Sequence, residues 1–219
     1  REKVTHVMPT HVHLDHAGGA GALMQEFPNA VLVVHPRGAR HMIDPAKLVA
    51  GTVAVYGEEI TQKLYGTIVP VPEERVLIAE DESRIDFHGR SLLFLDAPGH
   101  ARHHYCVIDE STNNLFSGDN FGISYREFDN ENGAFIFPTT TPVQFDPEAM
   151  RKTLDRLLSY NPQAVYLTHF GRVTNIEKLG RDLRNCLDQL VEMALDLKQK
   201  GKAQQDNLAS GVQQILRDR

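Results

Sequence analysis

The chain has 219 residues, of which 41% are hydrophobic, and it carries a formal net charge of −6 at pH 7. This length suits one main globular unit with a short appendage better than two equal domains. The acidic balance argues against nucleic acid or an anionic membrane as a partner, since both normally require a basic face, and it favours a small-molecule substrate.

The targeting and redox signals of the sequence are weak. No apolar run approaches the roughly 18–20 residues that span a bilayer, and the first residues lack the layout of a signal peptide. We therefore expect a cytoplasmic protein. Two cysteines, Cys106 and Cys186, are too few for a disulfide framework, and their apolar neighbours predict buried, reduced thiols.

The amino-terminal part is predicted to form a strand, a loop, a helix and a second strand. Residues 4–8 alternate as a short strand does, and Pro9 ends that strand just before a cluster of histidines. A helical stretch then runs to Phe27, and residues 31–34 are a β-branched run typical of a buried strand. The histidine cluster therefore lies on a loop at the carboxyl end of a strand, where binding sites usually occur.

Residues 36–74 are predicted to be an insertion near the site. Their helical spacing is broken by Gly51 and Gly57, and the prolines at residues 70–72 favour an extended segment. Four short strands with turn signals between them follow, and we expect one antiparallel meander over residues 76–79, 84–87, 91–96 and 104–108.

A further strand is predicted to end near residue 119, before a long aromatic loop over residues 120–145. Such a loop in a small domain is usually functional or mobile. Asp146 and Pro147 then predict the start of a helix, and a strand at residues 164–167 precedes His169.

A leucine stripe between Leu179 and Leu197 predicts a long carboxyl-terminal helix, followed by a weaker one. Packing of this helix on the domain is the first expectation, and a homodimer seam is the alternative. We expect a catalytic domain over residues 1–175, including the insertion, and a helical segment over residues 176–219 that packs on it.

Four potential metal ligands fall within six residues, namely His11, His13, Asp15 and His16. Because side chains alternate along an extended loop, His11 and His13 point the same way and can reach one metal, while Asp15 and His16 turn towards a second. Imidazole and carboxylate ligands suit zinc, iron or manganese, and the absence of cysteine ligands argues against a closed structural zinc site. The pattern therefore indicates catalysis.

Three further segments, each after an apolar strand, end in or contain a potential ligand: Ala97-Pro98-Gly99-His100, Ser117-Gly118-Asp119 and Leu167-Thr168-His169. Together with the histidine cluster they closely resemble the motifs of the metallo-β-lactamase superfamily. The resemblance covers nearly the whole chain and implies an α/β (α+β) fold, a four-layer αββα sandwich. Family members normally have several strands before the first ligand loop, whereas ten residues precede it here. We therefore expect a chain that lacks part of the amino-terminal sheet.

The resemblance also implies a ligand set for two divalent metal ions, with zinc as first choice and iron or manganese as alternatives. One ion would be held by His11, His13 and His100, the other by Asp15, His16 and His169, with Asp119 as the bridging carboxylate. His104 matches a histidine of the family motif, whereas His103 stands where glycine is usual, and the role of His103 is left open.

Four residues near the ligands are candidates for substrate contact, namely His103, Tyr125, Arg126 and Arg172. A guanidinium or a phenol at such positions can orient a carboxylate, a phosphate or a developing oxyanion. An ordinary packed or solvated side chain is the alternative for each. Four other histidines lie outside the motifs and are assigned no role: His6, His35, His41 and His88.

Two metal ions lower the pKa of a bound water, so the expected nucleophile is a metal-activated hydroxide, with Asp15 or Asp119 as the catalytic proton carrier. The resemblance to glyoxalase II-like and lactonase-like members implies a binuclear metallo-hydrolase that acts on a small thioester, carboxylic ester or lactone. The alternatives are a phosphodiesterase, a mono-iron persulfide dioxygenase-like oxidoreductase, and a metal-bearing binding protein without turnover.

Overall fold

The first sheet is parallel, and among the described residues, 1–131, 133–140, 142–201 and 205–217, it contains three strands. In this computed structural model they are β1 (His6–Val7), β2 (Val31–Val34) and β3 (Val76–Ile78), in that spatial order. Leu32 and Val33 of the central strand are inaccessible to solvent. A parallel strand covered on both faces is expected to be such an apolar run.

Five helices connect these strands. Two short ones, α1 (Leu14–Ala17) and α2 (Ala20–Glu26), lie between β1 and β2. Three more precede β3, namely α3 (Pro36–Ile43), α4 (Ala46–Tyr56) and α5 (Glu58–Tyr65), so the predicted insertion is largely helical.

The two glycines of the insertion behave differently. Helix α4 continues through Gly51, and the predicted break there is wrong, because one glycine costs a helix only about 1 kcal/mol. Gly57, with a φ of 83°, does separate α4 from α5.

The second sheet begins with an antiparallel meander of β4 (Arg84–Phe87), β5 (Arg90–Asp96), β6 (Tyr105–Asp109) and β7 (Asn114–Gly118). Strand β8 (Ala164–Leu167) pairs parallel to β7, and β9 (Gly171–Val173) pairs antiparallel to β8. The predicted meander is confirmed from residue 84 onward.

The meander prediction is wrong for residues 76–79. These residues contribute β3, which pairs with β2 in the first sheet. A three-residue apolar strand looks the same in a parallel and in an antiparallel sheet, so the pattern did not identify its partner.

The carboxyl-terminal helices are α6 (Pro147–Ser159), α7 (Ile176–Gln199) and α8 (Gln205–Arg217). Asp146 caps α6, since its Oδ1 accepts a hydrogen bond from the Ala149 amide, and Pro147 occupies the first turn as predicted. The leucine stripe of α7 is buried from Leu179 to Leu190, and its members Leu179, Leu183 and Leu187 belong to one core cluster with the second sheet and α6.

Among the residues that the structure describes, three apolar clusters define the layers. One packs α2 and α3 on the first sheet, one lies between the two sheets, and one packs α6 and α7 on the second sheet. Between the sheets, the Tyr105 hydroxyl donates a hydrogen bond of 3.0 Å to the Val33 carbonyl. The order of helices, sheet, sheet and helices is the predicted αββα sandwich.

Two expectations about single features can also be compared with the structure. The side chains of Cys106 and Cys186 are both buried, as predicted. Within the described part of the chain, every helix is too short or too polar to cross a membrane.

Candidate metal centre

The first group of candidate ligands comes from the loop after β1 and the loop after β5. The Nε2 atom of His11 lies 3.0 Å from Nδ1 of His13, and that same Nδ1 atom lies 3.2 Å from Nε2 of His100. Three ring nitrogens therefore converge on one point, as a first metal ion would require.

The second group uses α1 and the loop after β8. The Nε2 atom of His16 lies 3.3 Å from Oδ2 of Asp15 and 3.3 Å from Nε2 of His169. The Asp15 oxygen and the His169 nitrogen are 3.7 Å apart. Strands β1 and β8 are in different sheets, so this group forms at the edge where the two sheets meet.

Asp119, directly after β7, lies between the two groups. Its Oδ2 atom is 3.4 Å from Nε2 of His100, whereas its Oδ1 atom is 3.5 Å from Nε2 of His16 and 3.8 Å from Nε2 of His169. The carboxylate is 5% exposed, and Oδ1 is buried without a hydrogen-bond partner. A buried carboxylate oxygen without a hydrogen-bond donor is costly unless a positive charge lies nearby. Either a protonated His16, at 3.5 Å, or a metal ion can provide that charge, so the residues present fit a metal pair.

Burial determines the protonation of the first group. Desolvation lowers the pKa of His11 well below 6.5 and the pKa of His13 to about 4, and neighbouring histidines add to both shifts. Desolvation lowers the pKa of His100 as well. All three imidazoles are therefore neutral near pH 7, which is the form that binds a metal.

The second group is charged without a metal. Burial opposes ionisation of Asp15, but the hydrogen bond with His16 outweighs it, and the pKa of Asp15 falls to about 2. Burial likewise opposes the charge on His16, yet its contacts with Asp119 and Asp15 raise its pKa to about 9. A proton on His16 thus compensates two carboxylates, and a metal ion that binds there must displace this proton.

His104 and Gly118 support Asp119 from behind. The buried His104 accepts a hydrogen bond at Nε2 from the Asp119 amide, at 3.1 Å. Gly118 has a φ of 52°, and a Cβ atom there would lie 2.4 Å from that Nε2 atom. Glycine is therefore required directly before the carboxylate, both by backbone conformation and by space.

Thr139 and Asn120 fix His100, and sequence reasoning missed both. The Thr139 hydroxyl lies 2.9 Å from Nδ1 of His100 and donates a hydrogen bond of 2.8 Å to the Asp119 carbonyl. The Asn120 side chain accepts a hydrogen bond from the His100 amide, at 3.1 Å. Thr139 lies in the aromatic loop, where no periodic signal marks it, whereas Asn120 is adjacent to a ligand and could have been proposed.

The candidates for substrate contact occupy different surroundings. His103 is buried, with its ring centroid 5.2 Å from that of His13, and its Nδ1 atom accepts a weak hydrogen bond from the Val12 amide at 3.4 Å. Tyr125 is 38% exposed, and its ring centroid lies 5.2 Å from that of Phe170, the neighbour of His169.

The two arginines contact each other through a backbone group. The Arg126 guanidinium donates a hydrogen bond of 2.7 Å to the Arg172 carbonyl and lies 3.4 Å from Asp129. Arg126 therefore anchors the aromatic loop to β9. The Arg172 side chain is exposed on that strand.

The αββα layers, with histidines and aspartates converging where strands of both sheets end, define a metal-binding fold. The family model of the metallo-beta-lactamase superfamily matches residues 1–169, and the chain belongs to this superfamily. The predicted resemblance is thereby confirmed.

Individual relatives share part of the chain. The metallo-beta-lactamase fold-containing protein ST1585 of Sulfurisphaera tokodaii is 29% identical over 182 residues, which are 79% of this chain and 63% of that protein. Its crystal structure superposes with a TM-score of 0.71 at 26% identity, covering 87% of this chain and 69% of that one. The chain thus spans about two thirds of the length of this relative.

Two more distant similarities were found. TTHA1429 of Thermus thermophilus, a metallo-beta-lactamase family protein, has a TM-score of 0.66 at 20% identity, over 89% of this chain and 64% of that one. An atrochrysone carboxyl ACP thioesterase of Pseudocercospora fijiensis is 28% identical over 117 residues, which are 53% of this chain and 25% of that protein.

Proposed function

We propose that the chain is a metal-dependent hydrolase that uses two divalent ions on a small thioester, carboxylic ester or lactone. The observation that carries the proposal is the position of Asp119, whose two oxygens face different ligand groups. In this assignment His11, His13 and His100 would hold one ion, Asp15, His16 and His169 would hold the other, and Asp119 would contribute one oxygen to each group.

When bound, such a pair of ions supplies a Lewis acid and lowers the pKa of a coordinated water. The residues of the chain then have separate tasks. Asp119 stays ionised, since burial opposes its charge but the contact with His16 outweighs burial and lowers its pKa. Its 5% exposure keeps bulk water from its buried oxygen.

Asp15 is the better candidate for proton transfer. Its side chain is 48% exposed, whereas that of Asp119 is 6% exposed, so Asp15 can face both the ligands and a substrate that enters from solvent. We assign Oδ1 of Asp15 to the movement of a proton between the attacking water and the leaving group, since Oδ2 faces His16 and His169. Asp119 acts by orienting the neighbouring ligand side chains, His100 and His16.

Two observations favour an ester or thioester bond. One relative, which matches 53% of the chain, carries the name of a thioesterase. The net charge of −6 gives little support to a polyanionic substrate such as RNA. Zinc, iron and manganese all accept these ligands, so the bound metal has to be identified by metal analysis of the protein.

The test is a hydrolase panel on metal-analysed protein, spanning thioesters, esters, lactones and phosphodiesters, with oxygen uptake on a persulfide measured in parallel. We expect two ions per chain and turnover of a thioester, ester or lactone. Turnover confined to phosphodiesters would contradict the proposed substrate class and identify a phosphodiesterase. One iron per chain together with persulfide-dependent oxygen uptake would contradict hydrolysis and identify a persulfide dioxygenase.

A further inference from the structure

A row of aromatic rings leads away from the metal ligand His169. Neighbouring ring centroids are separated by 5.9 Å from His169 to Phe170, 5.2 Å from Phe170 to Tyr125, 5.8 Å from Tyr125 to Phe128, and 5.2 Å from Phe128 to Phe135. We call Phe170, Tyr125, Phe128 and Phe135 the aromatic tract. Each step is within the range of ordinary aromatic contact, so the tract is continuous.

The tract is open to solvent. Phe170 is 53% exposed, Tyr125 is 38% exposed and Phe128 is 59% exposed. Single exposed apolar residues are common, but adjacent exposed rings form a patch of the kind that marks a binding site. This patch begins at a candidate metal ligand, which points to a substrate of that site as its occupant.

The far end of the tract lines a cavity of about 300 Å³, the lower end of the size range of ligand pockets. Phe128 and Phe135 are among its lining residues, together with Leu216 of α8. The charged lining residues, Lys178 and Asp182 of α7, pair with each other at 2.6 Å. Because this pair is internally compensated, the cavity does not require a charged ligand.

The backbone holds the tract in place beside the ligands. The Ser124 amide donates a hydrogen bond of 2.9 Å to the His169 carbonyl, directly before Tyr125. Ile123 and Phe137 exchange backbone hydrogen bonds of 2.8 and 2.9 Å, which closes the base of the loop. A surface held in this way loses little entropy when a ligand binds.

We infer that the aromatic tract and its cavity bind the apolar acyl or aryl portion of the substrate, so that preferred substrates carry an acyl chain of several carbons rather than an acetyl group. The inference rests on the proposed hydrolase function and narrows its substrate class. The reacting carbonyl would lie at the metal centre, and the chain would extend past Phe170 towards Phe128.

The experiment measures binding of acetate, butyrate and octanoate to the metal-replete chain by calorimetry, since a carboxylate is the product of each proposed reaction. A fully buried methylene strengthens binding by roughly fourfold, so octanoate should bind at least about tenfold more tightly than acetate if two or more of its additional methylenes are buried. Phe128→Ala should reduce this preference at least about threefold. Phe116→Ala is the matched control, because Phe116 is 42% exposed and stacks on Tyr166 outside the tract.

A second variant, Leu216→Asp, places a charge in the lining of the cavity and should weaken octanoate binding more than acetate binding. Leu216 is 40% exposed and lies in a helix without buried residues, so the substitution should leave the three apolar clusters unchanged. Equal affinities for acetate and octanoate in the wild type, or an unchanged preference in both tract variants, would overturn the inference.

A parallel series of acetyl, butanoyl and octanoyl thioesters of one thiol separates this inference from the proposed function. If octanoate is preferred in a Phe128-dependent way but no ester or thioester is hydrolysed, the proposed function is contradicted and the proposed role of the tract in binding is supported. If the thioesters are hydrolysed with a kcat/KM that does not depend on acyl length, the proposed function is supported and the proposed role of the tract is contradicted.

Discussion

The Nε2 atom of His35 lies 2.8 Å from Oδ1 of Asp96, and this contact joins the carboxyl end of β2 to the carboxyl end of β5. The Arg37 amide donates to Nδ1 of His35 at 3.1 Å, so the ring proton is on Nε2 and is donated to Asp96. The His35 side chain is 7% exposed. The pair therefore connects the two sheets through a donor that has little access to water.

Asp96→Ala should lower the free energy of unfolding by about 1–3 kcal/mol, because it leaves a buried donor unsatisfied. Asp96→Asn keeps an acceptor oxygen and should lose less. Urea denaturation of the metal-free chain measures both, with Glu59→Ala, at an exposed carboxylate in α5, as control. An equal loss in Asp96→Asn and Asp96→Ala would show that charge, rather than the acceptor, provides the stability.

The same comparison has a definite pH dependence. The hydrogen bond from His35 lowers the pKa of Asp96 below 3.8. The ionised carboxylate therefore contributes stability above that reference pKa, and the contribution is lost as the pH falls through the folded-state pKa. The advantage of the wild type over Asp96→Asn should shrink between about pH 5 and pH 3. A constant difference across this range would contradict the assignment.

His100→Ala and Asp119→Ala should each lower the metal content of the chain while most secondary structure remains. The ligands hold the ions, whereas three separate apolar clusters hold the layers together. Elemental analysis and circular dichroism measure the two effects. His88→Ala, at an exposed histidine on the turn after β4, is the control and should keep the wild-type metal content. Unchanged metal stoichiometry in both ligand variants would remove these residues from the site.

Gly118→Ala should destabilise the chain by about 2–4 kcal/mol and lower its metal affinity, since a left-handed backbone and a clash with His104 act together. Gly51→Ala is the matched control because a Cβ atom there meets nothing within 4 Å. In the middle of α4 that substitution should instead stabilise by about 0.5–1 kcal/mol. Equal melting temperatures for wild type and Gly118→Ala would show that the loop accommodates the added Cβ atom without loss of stability.

Much of the fold could be predicted because local sequence encodes it. Residues 31–34 are identified as a strand by their apolar, largely β-branched composition, and Asp146 with Pro147 marks the start of α6. The pairing partner of β3 and the contact between His35 and Asp96 could not be predicted in this way. Both join segments far apart in the chain, and short apolar strands or lone histidines carry no sign of their distant partners.

The candidate site shows the same division. Motif spacing alone identified all seven proposed ligands, and the structure places them in adjoining groups. Their roles as ligands stay a prediction. The supporting contacts of His100 with Thr139 escaped detection, since they depend on how the aromatic loop folds back. Arg126 was proposed to orient substrate, yet its guanidinium contacts β9.

Arg126→Ala should therefore act through the loop and raise KM several-fold for an acyl substrate, because the bond that anchors the aromatic tract to β9 is lost. Arg172→Ala is the matched control, since the acceptor is the backbone carbonyl of Arg172, which this substitution keeps. Limited proteolysis should show faster cleavage within residues 124–131 in Arg126→Ala only. If Arg172→Ala raises KM equally without faster cleavage, both guanidinium groups contact substrate directly.

The salt dependence of kcat/KM tests the chemistry of the substrate as a whole. A neutral thioester, ester or lactone forms few ionic contacts, and exposed charges are screened beyond about 10 Å at 0.1 M salt, so the dependence should be weak. A nucleic acid or polyphosphate behaves differently, because each phosphate contact releases counterions. Arg126 is already engaged with Asp129 and the β9 backbone, which leaves it poorly placed to add such contacts. Measuring kcat/KM of the best panel substrate at several salt concentrations should give a change of less than about threefold between 50 and 200 mM. A drop of about a hundredfold or more over this range, the size expected for several phosphate contacts, would instead identify a polyanionic substrate.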